Sequence, residues 1–194
     1  TNSWSLRSLI KTSKIKQKIN QEIFNNLSSI KGVISITIVG SFINQKDLTG
    51  ISDIDTIVIC KKLNKTLFNN CLKAVKQIDL GKCGLADYQL IINPTFGPLK
   101  FDQPKTAIVH LMVYDIESHR KHVIKSPFTC YDWERSTTKL GLSLKEIFPA
   151  GKLQLRDFTE VRRSLEDYIK DLNNNVISYR EYDFKQNKVK ELKK

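Results

Sequence analysis

The chain has 194 residues, with 32 Lys and Arg against 20 Asp and Glu and a formal charge of +12. Its hydrophobic fraction of 40% suffices for a buried core and excludes a wholly disordered chain, and the length fits one domain with at most a small appendage. No apolar run approaches the roughly 18 residues of a membrane-spanning helix; even Val33–Val39 is interrupted by Ser35 and Thr37.

Leu6, Leu9, Ile10, Ile15, Ile19, Ile23, Leu27 and Ile30 fall on one stripe of a 3.6-residue period, with Lys and Gln on the other face. This predicts an amphipathic helix ending near Lys31-Gly32. Thr1–Ile30 is Lys-rich rather than apolar-cored, so it does not read as a signal peptide. Val33–Val39 alternates and is mostly β-branched, which predicts a strand broken by Gly40-Ser41. Phe42 to Ile51 is a short polar connection with room for one helical turn, and Asp53–Ile59 is a second strand. Leu63, Leu67, Leu72, Val75 and Ile78 are spaced for a helix closed by Gly81. Tyr88–Ile92 reads as a third strand stopped at Pro94, and Phe96–Phe101 as a short extended piece limited by Gly97 and Pro98. Thr106–Tyr114 is the last long strand.

Ile116 to Leu144 is mixed, with a turn at Ser126-Pro127 and packing aromatics Phe128, Tyr131 and Trp133. Phe158, Val161, Leu165, Tyr168/Ile169, Leu172, Val176 and Tyr179 predict one long helix from Leu155 to Tyr182. The charged tail Lys185–Lys194 is expected to fray or to continue as a solvated helix. This order favours an α+β fold, a mixed sheet with helices on one side, over regular βαβ alternation. Residues 1–125 would form the core and residues 126–194 a C-terminal helical extension packed on it.

Cys60, Cys71, Cys83 and Cys130 form no tight metal-ligand spacing and are too sparse for a disulfide scaffold, which suggests reduced structural thiols and a cytoplasmic protein. The positive charge favours polyanionic partners such as nucleotides, nucleic acid or anionic headgroups. A Lys-rich background composition explains it equally well.

The segment with chemical content is Val39-Gly40-Ser41, an eleven-residue gap, then Asp53-Ile54-Asp55. Two residues apart in a strand, Asp53 and Asp55 leave the same face, while Ile54 points to the core. Two carboxylates that close repel unless a cation lies between them, and Mg²⁺ prefers carboxylate and phosphate oxygens. Gly40-Ser41 lets the backbone approach a phosphate, with amides and a hydroxyl as donors.

Together these residues resemble the DNA polymerase β-like nucleotidyltransferase superfamily, whose motif is hydrophobic–Gly–Gly/Ser, a gap of about nine to thirteen residues, then acid–hydrophobic–acid–hydrophobic. Only Thr56, in the last position, departs from it. The resemblance covers about twenty residues in the expected order of helix, strand, turn and strand. It implies a mixed β-sheet flanked by helices, with a C-terminal helical region. It also implies transfer of a nucleoside monophosphate from an NTP to an acceptor hydroxyl or phosphate on a small molecule, protein or RNA, with Mg²⁺ or Mn²⁺ in two-metal catalysis. Asp53 and Asp55 would hold the metals, and Gly40 and Ser41 the phosphates.

The superfamily's third carboxylate lies on a later strand, commonly the second arm of a hairpin. The matching strand is Thr106–Tyr114, and the best-fitting position is His110, a departure from the pattern. A histidine there would serve as general base, ligate a metal less well than a carboxylate, or mark lost chemistry. Asp87, at the mouth of its strand, and Asp115, of opposite parity to His110, are rival third acids.

Lys46, Lys61 and Lys62 flank the expected pocket as candidate phosphate ligands, though a Lys at a strand end is more often simply exposed. His119 and His122 have a zinc-like spacing but no second ligand pair, and solvated surface histidines are expected. Tyr179, Tyr182 and Phe184 beside Arg180, Lys185 and Lys188 have the composition of a base-stacking patch, with core packing the commoner role. Trp4 and Trp133 are expected to pack. A protein partner that binds the acceptor is also compatible with this reading.

Overall fold

The β-branched alternation of Val33–Val39 forms strand β1 (Val33–Val39), entered from helix α1 (Ser3–Ser28) through a turn in which Gly32 takes φ +101°. The computed structural model describes residues 3–44, 48, 51–96, 104–186 and 188–194, with side chains described from residue 11 onward. After β1 come a single helical turn, α2 (Ser41–Asn44), then β2 (Ile54–Cys60) and α3 (Lys65–Lys76). The helix α3 begins where the Asn64 side chain accepts from the Leu67 amide at 2.9 Å and ends at Gln77, short of the expected Gly81. Next are β3 (Gln89–Asn93) and β4 (Thr106–Asp115).

The sheet order is β3-β4-β2-β1, extended on the β1 edge by β5 (Lys139–Gly141). The strand β1 runs antiparallel to β2 and β5, whereas β2, β4 and β3 are mutually parallel. The expected α+β class with a mixed sheet is therefore present. The strand β4 is not the second arm of a hairpin, because the chain between Asn93 and Thr106 is long enough for a parallel return. The strand β5, from the segment assigned to the extension, is part of the core sheet. Residues 97–103, which include most of the expected extended piece, lie outside the described residues.

Period-2 alternation divides the strands between two cores. Ile36, Ile38, Val58, Leu111 and Val113 pack with Ile23 and Leu27 of α1 and with Cys71 and Val75 of α3. On the opposite face Ile57, Ile59, Met112 and Tyr114 pack under α4 (Ile116–Lys125), α5 (Pro127–Glu134) and α6 (Leu144–Ile147). Helices thus cover both faces, not one, because Val123, Trp133 and Leu144 give the mixed segment an apolar side of its own. Trp133 is a packing residue, as expected. Trp4 has no described side chain.

The C-terminal region departs from the helical expectation. Helix α7 (Leu155–Asn173) stops at Asn174, Asn175 takes φ +54°, and the chain returns as a hairpin of β6 (Ser178–Asp183) and β7 (Lys188–Lys193). Three consecutive asparagines favour a stop, Asn being tolerant of left-handed backbone, and the β-branched and aromatic Val176 to Tyr182 favour a strand. The Asp183 carboxylate accepts from the Lys185 and Gln186 amides and forms the turn. Register places Arg180 opposite Glu191 and Tyr182 opposite Val189, which holds the charged tail as a strand. Tyr182 and Phe184 pack on the first core, Phe184 edge-on to Phe68 at 5.2 Å, so packing accounts for these two aromatics.

No helix among the described residues is long and apolar enough to cross a membrane. All four cysteines are free and buried, and burial pushes the Cys60 and Cys130 thiols up to about 12 and Cys71 to about 11. They are inert core residues at neutral pH.

Candidate metal centre

Sheet register builds the centre. Val39 lies opposite Asp55 in the antiparallel pair, and Asp55 lies opposite His110 in the parallel pair, so all three share one face. Asn93 of β3 lies opposite His110 on its other side. This is the face on which Ile57, Ile59, Met112 and Tyr114 form the second core. The row Asp55–His110 continues that apolar tile as its polar end.

The described side chains contain one group of three or more acids, thiols and imidazoles able to hold a metal ion. It consists of Asp53, Asp55 and His110, with one ligand atom from each within 4.8 Å of the others. His110 Nδ1 lies 2.9 Å from Asp55 Oδ1 and 3.8 Å from Asp53 Oδ2. His110 Nε2 lies 2.7 Å from the Thr95 carbonyl oxygen, which only accepts, so Nε2 carries a hydrogen and Nδ1 is left facing the carboxylates. A backbone carbonyl that fixes the distal nitrogen is the usual support of a metal-ligating histidine. Thr95 is itself fixed, since its amide and hydroxyl both donate to Asn93 Oδ1, at 3.1 and 2.7 Å. Ser52 donates to Asp53 Oδ1 at 2.8 Å.

Gly40 closes the centre from the β1 side. Its φ is +76°, and a Cβ built there would meet Asp55 Oδ2 at 2.6 Å. Both the backbone conformation and the close approach require glycine. The bare Cα makes room for a carboxylate, a role different from the expected approach to a phosphate. Ser41 begins α2 directly after it.

The electrostatics are those of an anionic site short of positive charge. Burial, and then the Asp55 charge, raise the Asp53 pKa, with only Ser52 and His110 opposing. Burial works to lower His110, but the Asp55 hydrogen bond and charge outweigh it, and its pKa is raised. A proton on Nδ1 thus does in part what a cation between the same oxygens does more fully. The donor chemistry fits a divalent metal: carboxylate oxygens suit Mg²⁺ and Mn²⁺, and an imidazole moves the preference toward Mn²⁺.

The other candidates lie elsewhere. Asp87 is exposed and pairs with Lys105 at 2.9 Å. Asp115 caps α4, accepting from the Ser118 amide at 2.8 Å, and also accepts from the Leu63 amide at 3.2 Å. Neither is a third acid of the centre, and the opposite parity of Asp115 holds. Lys61 and Lys62 follow the far end of β2, roughly 20 Å of extended strand from Asp55, and do not flank the site. Lys62 instead rims a cleft of about 520 Å³ floored by Phe96, Tyr114 and Tyr182. Arg180 and Lys188 share that rim, and neither Tyr179 nor Lys185 is at the metal centre. Lys46 lies outside the described residues.

His119 and His122 are not the solvated surface histidines expected, His122 being half-buried. His119 is buried, and His122 stacks on Trp133 at 5.0 Å, since their side of α4 packs over Tyr114. Burial lowers both, His122 to about 4, and neither takes part in a metal group.

Sequence reasoning missed Thr95, Asn93 and Ser52. A backbone carbonyl carries no residue signature, although Asn93-Pro94 is a turn-initiating pair that marks where the chain bends back on the site. Comparison of the chain with models of protein families, with curated proteins and with solved structures finds no match.

Proposed function

We propose that the protein is a divalent-metal-dependent nucleotidyltransferase of the DNA polymerase β-like kind, moving a nucleoside monophosphate from an NTP to an acceptor hydroxyl or phosphate. The observation that carries this reading is the convergence of Asp53, Asp55 and His110 within 4.8 Å beside a glycine whose bare Cα makes room for the Asp55 carboxylate. The motif spacing Gly40-Ser41…Asp53-Ile54-Asp55 supports it independently of the geometry.

Asp53, Asp55 and His110 Nδ1 would hold Mg²⁺ or Mn²⁺, which when bound neutralises triphosphate charge and makes an acceptor hydroxyl more acidic. The chain's own residues have distinct tasks. Thr95 O holds the His110 ring so that Nδ1 faces the carboxylates. Nδ1 has a single lone pair, so it serves either as the third metal ligand or, with the cation held by the two carboxylates alone, as the group that accepts the acceptor's proton. Gly40 sets the distance between the β1 corner and Asp55, and Ser41 presents a hydroxyl and an amide at that corner for phosphate oxygens.

The test is pyrophosphate release from ATP, CTP, GTP and UTP with Mg²⁺ or Mn²⁺, across small-molecule, protein and RNA acceptors. Metal-dependent release abolished by Asp53→Asn and by Asp55→Asn is the expected result. Release that survives both substitutions rejects the assignment. The substitution of a third carboxylate by His110 favours a second reading, a protein that binds nucleotide or nucleic acid without transfer. Metal-dependent nucleotide binding with no pyrophosphate release under any condition would select it.

A further inference from the structure

Helix α7 carries an apolar stripe that the described residues leave exposed. Phe158, Val161, Leu165, Tyr168, Ile169 and Leu172 fall within roughly 100° of the helix circumference and are all exposed, Leu165 at 56%, Phe158 at 54% and Leu172 at 48%. Leu155, at 84%, extends the stripe at its start. The spacing 158, 161, 165, 168, 172 repeats three-four-three-four, the seam of a helix that packs against another helix. The helix is tied to its surroundings near its ends: Asp171 accepts from Ser178 of β6 and pairs with Lys193 of β7 at 3.1 Å, and the N-cap Gln154 amide donates to Asp157 at 2.7 Å. Phe158 touches Phe128 edge-on at 4.8 Å and remains half exposed.

We infer that this stripe is a self-association surface, on which α7 of two copies packs antiparallel about a two-fold axis near Leu165. Three observations select a second copy. The area is sufficient: six half-exposed side chains offer roughly 500–600 Å² per copy, so the pair reaches the ~1,000 Å² of a specific interface, and apolar patches beyond a few hundred Å² are rare on monomers. The helix carries four basic and five acidic residues in a chain of charge +12, the reverse of a helix that lies on anionic lipid.

The charges are also self-complementary. In the first half Arg156, Arg162 and Arg163 outnumber Asp157 and Glu160, and in the second Glu166, Asp167 and Asp171 outnumber Lys170, so antiparallel packing sets the net positive half of one copy over the net negative half of the other. Arg162 and Glu166 lie on the same flank of the stripe, and neither makes an ion pair among the described residues. The two-fold axis brings Arg162 of each copy level with Glu166 of the other, giving two reciprocal pairs at the rim.

Sedimentation velocity on the full chain tests this. The expected species is a dimer of twice the 22.4 kDa chain mass at micromolar concentration, converted to monomer by Val161→Glu with Leu165→Glu at unchanged helix content. Arg162→Glu weakens dimerisation about tenfold, and adding Glu166→Arg to it restores the wild-type constant. Leu165→Cys, close to the axis, oxidises to a covalent dimer, since the four native thiols are buried. A wild-type chain that is monomeric at about 100 µM overturns the inference, whether or not it then floats with anionic vesicles or binds another protein. A double charge variant no better than Arg162→Glu alone overturns the antiparallel arrangement.

Discussion

His110 and the pair His119/His122 lie on the same side of one sheet and are all largely removed from water, yet their pKa values move in opposite directions. His119 and His122 meet Tyr114, Trp133 and one another, and burial pushes His122 down to about 4. His110 meets Asp55 at 2.9 Å and a carbonyl at 2.7 Å, and its pKa is raised despite burial. Desolvation alone makes a histidine a neutral packing residue; two adjacent carboxylates convert the same side chain into a proton or metal carrier. The polar end of this face is built for charge, and its other end is core.

The sharpest break of that contrast is His110→Ala. If Nδ1 accepts the acceptor's proton, turnover falls by roughly 10²–10⁴ with little change in nucleotide affinity, read as kcat against KM. Unchanged turnover would return His110 to the packing class of His119. His110→Asp sharpens the result, because a third carboxylate should move the activity preference from Mn²⁺ toward Mg²⁺, measured as the ratio of rates with the two ions.

Gly40→Ala follows in size. The added methyl would sit 2.6 Å from Asp55 Oδ2 at a φ of +76°, so both the backbone and the carboxylate must move. A stability loss of about 1–3 kcal/mol is expected, together with loss of Mn²⁺ binding by calorimetry. Gly32→Ala is the control, since it shares the positive φ but meets only Leu67 at 3.4 Å. It should cost stability and leave metal binding intact. Equal metal affinity in the two variants would show that the Gly40 contact has no functional role.

The sequence shows the polar end of this face more plainly than the core end. Asp53-Ile54-Asp55 and His110 are legible because strand parity and a glycine stop are local properties, and strand register brings them together. Burial of His119 and His122 is not local, since it depends on α4 folding over Tyr114, a contact between elements that no spacing encodes. The C-terminal hairpin departs from the helical expectation because Val176, Tyr179 and Tyr182 satisfy a helical period, while the run Asn173-Asn174-Asn175 ends the helix. The α7 stripe is legible in the sequence as a helical period. Periodicity reports an apolar side without saying what covers it.

The core end makes its own prediction. The folded-state pKa of His122 is depressed to about 4 from the ordinary histidine value of 6.5, so its stabilising contribution is complete above 6.5 and is lost as pH falls from about 6.5 toward 4. The loss is roughly 2–3 kcal/mol. Thermal melts of wild type and His122→Phe should coincide near pH 8 apart from a constant offset, with wild type falling faster below pH 6. Parallel curves would mean that His122 is solvated after all.

The smallest effect concerns Asp53, and its sign is the informative part. A carboxyl whose folded pKa is raised destabilises the protein when ionised, so its stabilising state lies below the unfolded pKa and is lost as pH rises through the folded one. Asp53→Asn in chelator at neutral pH should therefore raise Tm by about 2–4 °C, a gain that shrinks as the medium approaches the pH at which Asp53 is protonated. Excess Mn²⁺ should reverse the order, stabilising wild type by mass action while leaving the variant little changed. A substitution that stabilises the metal-free protein and forfeits the metal-dependent gain marks a site held against its own repulsion for the sake of a cation. If Asp53→Asn lowers Tm in chelator, the two carboxylates are instead a satisfied structural pair.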